Sequence, residues 1–344
     1  MPRLKRSDVS RPGITRVRRG SGFQYLDPFG DSVEDAETIV RIRSLVIPPA
    51  WAGVWICPYP NGHIQAVGYD AAGRKQYLYH PRWRTMRDKL KFEHMIEFAH
   101  CLPDLRRDTR QCLMEPDMCR ERVLAATARM LDRGLFRIGS EEYAAKNATF
   151  GIATILKSHV RLEPDYRITF DFVAKGNQRQ VHSIVDRDVY QVVEVLKRRR
   201  SGTELLAYKQ GGRWMDVKSI DINAFIKEVT GGDFTAKDFR TWSATVLAGV
   251  ALAQRIDATS KTAKKRAVVA AVREVAGQLG NTPAVCRSSY IYPRIIDDYL
   301  AGVTIAPVLE GLDEAKLGEW EYREAVDAAV LSLIEGEQVR RKVA

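Results

Sequence analysis

The chain has 344 residues, 45% of them hydrophobic and 28% charged, and a formal net charge of +11. That length and balance exclude a disordered or fibrous chain and give material for two domains with their own cores. The charge is uneven: residues 1–90 hold 15 Lys/Arg against 8 Asp/Glu, and residues 301–344 hold 5 against 9. A basic body with an acidic end suits a polyanionic partner, of which nucleic acid is the commonest.

Five cysteines (Cys57, Cys101, Cys112, Cys119, Cys286), odd in number and without a C-x-x-C pair, argue for reduced thiols and against a disulfide framework or zinc site. No apolar run approaches membrane-spanning length and no signal peptide is read at the start, so a cytoplasmic protein is expected.

Residues 1–20 are Arg-rich, but their Pro and Gly spoil an amphipathic helix, and a flexible basic arm is expected there. From Phe23 to about Trp83 short β-like runs alternate with turn signals. Asp27-Pro28-Phe29-Gly30 is a turn, Val54-Trp55-Ile56-Cys57 a strand, and Pro60-Asn61-Gly62 turns into a strand over 63–69. Asp70-Ala71-Ala72-Gly73 turns again before a strand over 76–80, and one helix near 36–45 interrupts the series. A small β-rich domain is therefore expected over 21–90.

Beyond it the pattern is helical, and a mainly α domain is expected over 91–344. Residues 119–135 carry Val123, Leu124, Thr127, Met130 and Leu131 on a 3.6-residue stripe, and 141–157 read as a second helix. A hairpin follows: 167–173 alternate, 174–179 turn and 180–185 return. Asp186 caps a helix ending in Lys197-Arg198-Arg199-Arg200, which is either a solvated helix end or a phosphate site. Gly211-Gly212 and Gly231-Gly232 mark loops.

Thr235-Ala236-Lys237-Asp238 is a capping box opening a helix to about 255. Ser260 opens another to 279, with Lys261, Lys264, Lys265 and Arg266 in its first turns. Cations there oppose the helix dipole, so phosphate contact is the simplest reason for them. Thr282-Pro283 starts a further helix, Tyr290 falls about two turns on, and Pro293 is expected to end it. Residues 302–318 read as a connection and 319–335 as a last amphipathic helix.

Tyr290, with Arg287 close by, is a candidate nucleophile toward a phosphodiester. A free phenol ionises near pH 10, so this chemistry needs neighbouring cations. The alternative is that Tyr290, one of 13 tyrosines, packs against a core. Arg137, in Leu135-Phe136-Arg137-Ile138-Gly139, lies at an element boundary where a guanidinium can fork onto a phosphate. Arg240 falls in the second turn of a capped helix, a common place to meet an anion. Lys175 sits at the hairpin tip, from which it can reach into a groove and donate a proton, although most turn lysines are simply solvated.

Taken in this order, the pieces resemble the type IB DNA topoisomerases, in the compact poxvirus-like branch found in bacteria. Tyr25-Leu26-Asp27-Pro28, Ile47-Pro48-Pro49-Ala50-Trp51 and Gly73-Arg74-Lys75-Gln76-Tyr77 with Tyr79-His80-Pro81 look like its N-terminal lobe. Phe136-Arg137-Ile138-Gly139, Lys237-Asp238-Phe239-Arg240-Thr241 and Ser289-Tyr290-Ile291 look like its catalytic lobe.

The resemblance implies an α+β fold, with a small β-rich lobe that clamps DNA and a larger, mainly α lobe of the DNA breaking-rejoining type carrying a small hairpin or sheet. It implies Tyr290 as nucleophile, forming a 3′-phosphotyrosyl bond, with Arg137 and Arg240 on the non-bridging oxygens and Lys175 as general acid. The fifth place, a histidine in the poxvirus enzymes, is Asn281 here, whose amide can donate a hydrogen bond but adds no charge.

The implied activity relaxes supercoiled double-stranded DNA by swivelling and religation, without ATP or metal, in a monomer of the bacterial cytoplasm, at the nucleoid. No cofactor is expected, and the sequence has no G-x-x-x-x-G-K-[ST] stretch or metal-ligand spacing. DNA contacts are expected from Arg16, Arg18 and Arg19 in the arm and from Arg74, Lys75, Gln76 and Tyr77 in the β-rich lobe. Lys261, Lys264, Lys265 and Arg287 are the counterparts in the catalytic lobe.

Nine residues of unbroken helix would separate Asn281 and Tyr290 by about 13 Å along the axis, on opposite faces. The Asn281-Thr282-Pro283 break instead predicts Asn281 in a loop or cap. A tyrosine recombinase shares the catalytic lobe, but it carries histidine where Lys237 stands, three before Arg240, and its second domain is helical. A non-catalytic DNA-binding protein would not need every charged position of the set filled.

Overall fold

The computed structural model describes residues 3–312 and 320–336. The chain divides into two compact units, residues 1–91 and 92–344, and mixes helices with small antiparallel sheets.

In the first unit five strands pair in the order β2-β1-β3-β4-β5: β1 (Ile14–Arg19), β2 (Gly22–Leu26), β3 (Ala52–Ile56), β4 (Ile64–Tyr69) and β5 (Lys75–Tyr79). Between β2 and β3 lies α1 (Ala36–Ser44), whose N-cap Asp35 accepts from the Thr38 N–H and whose Ile42 is buried. Ile14, Ile42, Val54, Ile56 and Ala66 form the core.

The expected flexible arm over 1–20 is corrected. Ile14–Arg19 is a strand inside the sheet, paired with both β2 and β3, because Ile14 supplies a core side chain and the main chain completes two ladders. Residues nearer the start are tied as well, with the Ser7 N–H donating to His63 Nδ1 at 2.8 Å.

The second unit opens within α2 (Pro81–Leu113), a helix the sequence reading did not identify, which buries Phe92, Met95, Phe98, Leu102 and Leu105. Then come α3 (Arg120–Gly134), α4 (Glu141–Asn147), the sheet β6 (Val160–Glu163), β7 (Arg167–Ala174), β8 (Gln178–Val185), and α5 (Arg187–Arg198). A small hairpin, β9 (Ala207–Gln210) and β10 (Arg213–Asp216), precedes α6 (Ser219–Thr230) and α7 (Ala236–Ala253). α8 (Lys261–Leu279), α9 (Pro283–Ser289), α10 (Pro293–Ala301), α11 (Ala306–Leu309) and α12 (Trp320–Glu335) follow. α7 is buried nearly all round, with Phe239, Trp242, Ala244, Ala248 and Leu252 inside the core.

Four expectations change. The helix over 141–157 stops at Asn147, because residues 150–153 bond elsewhere: Ile152 N–H to Arg137 O (2.9 Å), Ala153 N–H to Ile138 O (2.8 Å) and Phe150 N–H to Val173 O (2.8 Å). The two backbones lie so close that a Cβ at Gly151 would meet Gly139 N at 2.4 Å. Pro293 does not end a helix; α9 ends at Ser289 and Pro293 is the first residue of α10.

Half of the basic run turns inward: Lys197 Nζ donates to Lys157 O (2.9 Å), and Arg199 donates to Ser201 O and Glu204 O, each at 2.7 Å. The connection over 302–318 contains α11, and its residues 313–318, with the expected start of the last helix at 319, lie outside the described residues.

Candidate active site

α3 ends at Leu135 in a left-handed conformation, φ 58°, which reverses the chain and buries Phe136 against Phe170, ring centroids 4.8 Å apart. The next residue, Arg137, reaches the far end of α8. Its Nη2 donates to Gly280 O at 2.8 Å and to Asn281 Oδ1. Gly280 closes α8 at φ 61°, a left-handed position that favours glycine, and a Cβ there would push aside the end of the Gln180 side chain at 2.5 Å.

Asn281 thus lies between α8 and the Thr282 cap of α9, outside both helices, as the break in the sequence predicted. Its Oδ1 is taken by Arg137, and its Nδ2 is buried without a partner among the described residues. An amide held by its oxygen presents its N–H groups as donors.

Arg240 stands on α7 with only 4% of its surface exposed. Its Nη1 donates to Leu135 O and its Nη2 to Leu279 O (2.9 Å), two carbonyls at the ends of α3 and α8. Its guanidinium carbon lies 5.6 Å from the Tyr290 ring centroid. Burial, then the Arg137 charge, push Arg240 down to about 10, against support from Tyr290, so it remains charged at neutral pH. Arg137 is likewise pushed down by burial and supported by Tyr290. A buried and a half-buried cation beside one phenol repel each other, and an anion placed among them relieves that cost.

Tyr290 is the C-cap of α9, with its N–H on Cys286 O at 3.0 Å. The flanking main chain is held by Thr245 of α7, a fully buried residue. Thr245 Oγ1 bonds to Tyr290 O and accepts from the Tyr292 N–H, both at 3.1 Å. The sequence reading missed Thr245; the available signal was a hydroxyl residue on an otherwise apolar stretch of helix.

Lys175 is exposed in the β7–β8 turn and joins the group through a cavity of about 310 Å³ that it lines with Arg137, Gly139, Tyr143, Thr149 and Phe150. His182 of β8 was also missed. Its ring meets Phe136 edge-on at 5.1 Å. Burial, then Arg240 and Arg137, push it down to about 4, so it is neutral at neutral pH.

Two of the expected DNA contacts are spent inside the fold. Arg16 donates to Ile47 O (3.1 Å), Pro48 O (3.0 Å) and Trp51 O (2.7 Å), which makes it a staple for that loop. Lys264 donates to Leu300 O at 3.0 Å near the end of α10, where a cation suits the helix carbonyls. Arg74 pairs with Asp70 (2.8 Å), which also accepts from Gln76 (3.0 Å). Lys75 sits 5.8 Å from the Tyr77 ring, and Tyr77 stacks with Tyr79 at 6.0 Å. Arg18, Arg19, Lys261, Lys265 and Arg287 are exposed.

Among the described residues no three His, Cys, Asp or Glu side chains come together as a metal group would require. No helix among them is long and apolar enough to cross a membrane.

Comparison with known proteins shows the family. Residues 80–299 match the family described as eukaryotic DNA topoisomerase I, catalytic core, and residues 22–70 match the bacterial DNA topoisomerase IB, N-terminal domain. The chain is 33% identical over 298 residues to DNA topoisomerase 1B of Acanthamoeba polyphaga mimivirus, covering 83% of this chain and 87% of that protein. It is 26% identical over 227 residues to DNA topoisomerase 1 alpha of Arabidopsis thaliana, covering 66% of this chain and 23% of that larger protein. With its catalytic core, its N-terminal domain and most of its length matched, the chain belongs to the type IB DNA topoisomerase family.

Proposed function

We propose that the chain relaxes supercoiled duplex DNA through a covalent tyrosyl intermediate formed by Tyr290. The observation that carries this reading is the convergence of the Arg137 and Arg240 guanidiniums and the Asn281 amide on the neighbourhood of one phenol. In the proposed step the Tyr290 hydroxyl loses its proton to water and its oxygen attacks the scissile phosphorus. The bond to the 5′ oxygen breaks as Lys175 delivers a proton to it.

Arg137 and Arg240 take the two non-bridging oxygens as negative charge grows there, and the partnerless Asn281 N–H donates to one of them. The product is a 3′-phosphotyrosyl link and a free 5′-hydroxyl strand. That strand swivels about its intact partner, and the reverse reaction reseals the break. Because the link conserves the energy of the phosphodiester, neither nucleotide nor metal is required.

All five side chains come from one chain, which supports a monomer as the working form. The match to a bacterial N-terminal domain supports a bacterial, cytoplasmic setting. The first unit, with exposed Arg18, Arg19, Lys75 and Tyr77, is proposed to grip the duplex backbone as the other half of a clamp.

The test is mass spectrometry of a denaturant-trapped adduct, with plasmid relaxation in EDTA and without ATP. A peptide containing Tyr290 joined to a 3′ phosphate is expected, and Tyr290→Phe should bind DNA yet leave supercoils intact. An adduct on another side chain, or relaxation by Tyr290→Phe, would overturn the assignment.

A further inference from the structure

Helix α12 begins beyond residue 299, where the catalytic-core match ends, so neither family match assigns it a role. It nevertheless ties together the two stretches that carry the arginines. Arg323 of α12 donates to the Asp132 carboxylate at 3.0 Å and to the Asp132 carbonyl, three residues before Leu135. Asp327, one turn further along α12, accepts from the Trp242 indole at 3.0 Å, two residues after Arg240 on α7. Arg106 of α2 closes the set, at 3.0 Å from Asp132 and 2.7 Å from Asp327. Leu135 in turn offers its carbonyl to Arg240.

The physical question is why charges are used here. The core face of α12 already carries Val326, Ala329, Val330, Leu333 and Ile334, enough to dock a helix. A set of two cations and two anions, with Arg106 and Asp132 buried and Asp327 and Arg323 half-buried at its edge, is self-neutral, but its desolvation commonly offsets its Coulombic gain, so stability alone is a weak reason for it. What such a set supplies is register: each partner has few positions in which every bond is made. The register fixed here is that of the end of α3 against α7, and therefore of Arg137 against Arg240. Two guanidiniums that must meet one phosphate are sensitive to that spacing, since a misplacement of about 1 Å can cost on the order of 100-fold in rate.

We propose that Arg323 and Asp327 are positioning residues for strand cleavage, holding Arg137 and Arg240 at the separation a single phosphate demands. This rests on the reading of those two arginines as phosphate ligands. A helix that served only as a cover would influence stability and nothing else. A helix that sets spacing must alter the chemical step at unchanged DNA affinity.

The experiment compares full-length Asp327→Asn and Arg323→Gln with Val330→Ala, which loosens the same helix without touching the charges. Three quantities are measured: single-turnover cleavage of a nicked duplex, non-covalent DNA affinity at matched salt, and the thermal midpoint. Both charge variants should cleave at least about tenfold more slowly, with affinity within about twofold. Val330→Ala should cleave normally at a comparable loss of midpoint. In an Arg240→Lys background, Asp327→Asn should add little further loss, because the two act through the same contact.

Cleavage that falls only in step with the thermal midpoint in all three variants overturns the inference, as does full additivity with Arg240→Lys. Arg240→Lys and Arg240→Ala cleaving at the full rate would overturn the parent reading of the arginines, an outcome distinct from either.

Discussion

In the proposed reaction Asn281 contributes a donor that does not titrate. Its amide is fixed by Arg137 and cannot titrate, so one donor of the site is constant across the working range. Asn281→His is expected to add a limb to the cleavage profile: the rate falls as pH rises through the pKa of the new imidazole, whose ordinary value is about 6.5. Single-turnover rates from pH 5.5 to 8 check this, and parallel profiles for the two proteins would remove Asn281 from the phosphate. Lys175→Ala should be slowed mainly in cleavage and recover on a substrate whose leaving oxygen is replaced by sulfur, which needs no acid.

His182 affects folding in the opposite direction from a paired histidine. Its folded value of about 4 lies below the ordinary 6.5, so the unfolded chain takes the proton first as pH falls through that window. Stability is therefore lost as pH falls from about 6.5 toward 4, and His182→Phe should flatten that part of a denaturation series.

Among the elements, α7 does two jobs at once. It carries Arg240 to the ends of α3 and α8, and five residues on it holds the Tyr290 carbonyl and the Tyr292 N–H through Thr245. Thr245→Val removes the acceptor of the Tyr292 N–H inside the core, so a loss of about 1–3 kcal/mol is expected in urea denaturation. Cleavage should slow beyond what stability explains, and Thr245→Ser should restore it. A valine variant that cleaves normally would leave Thr245 with a purely structural place.

The ends of α3 and α12 also meet at Asp132. Burial alone would raise this carboxyl, but Arg106 and Arg323 override it and hold it at about 2. That contribution is present above the ordinary carboxylate range and is lost as pH falls through about 4 toward 2.

At the scale of the whole molecule, the net charge of +11 predicts affinity that falls steeply with salt, log K against log[salt] having a slope of about −0.9 for each phosphate neutralised. Charge removal at Arg18 or Lys261 should make that slope shallower, whereas Arg16 and Lys264, already bonded to carbonyls, should act on stability instead.

The sequence by itself determined a β-rich stretch followed by helices, the caps at Asp186, Ser260 and Thr282, and the break that frees Asn281, but it missed α2, which starts at Pro81. It also made Tyr290, Arg137 and Arg240 stand out. These are readable because caps, prolines and apolar period are local, written within a turn or two of where they act. Tertiary structure alone decided the rest. It made a strand of Ile14–Arg19, stopped the helix after Asn147, turned Arg16 and Lys264 inward, and brought Thr245, His182 and α12 to the site. Each of these depends on a partner about fifteen to nearly two hundred residues away along the chain, where a main-chain group or buried charge finds its bond, and no local pattern encodes that distance.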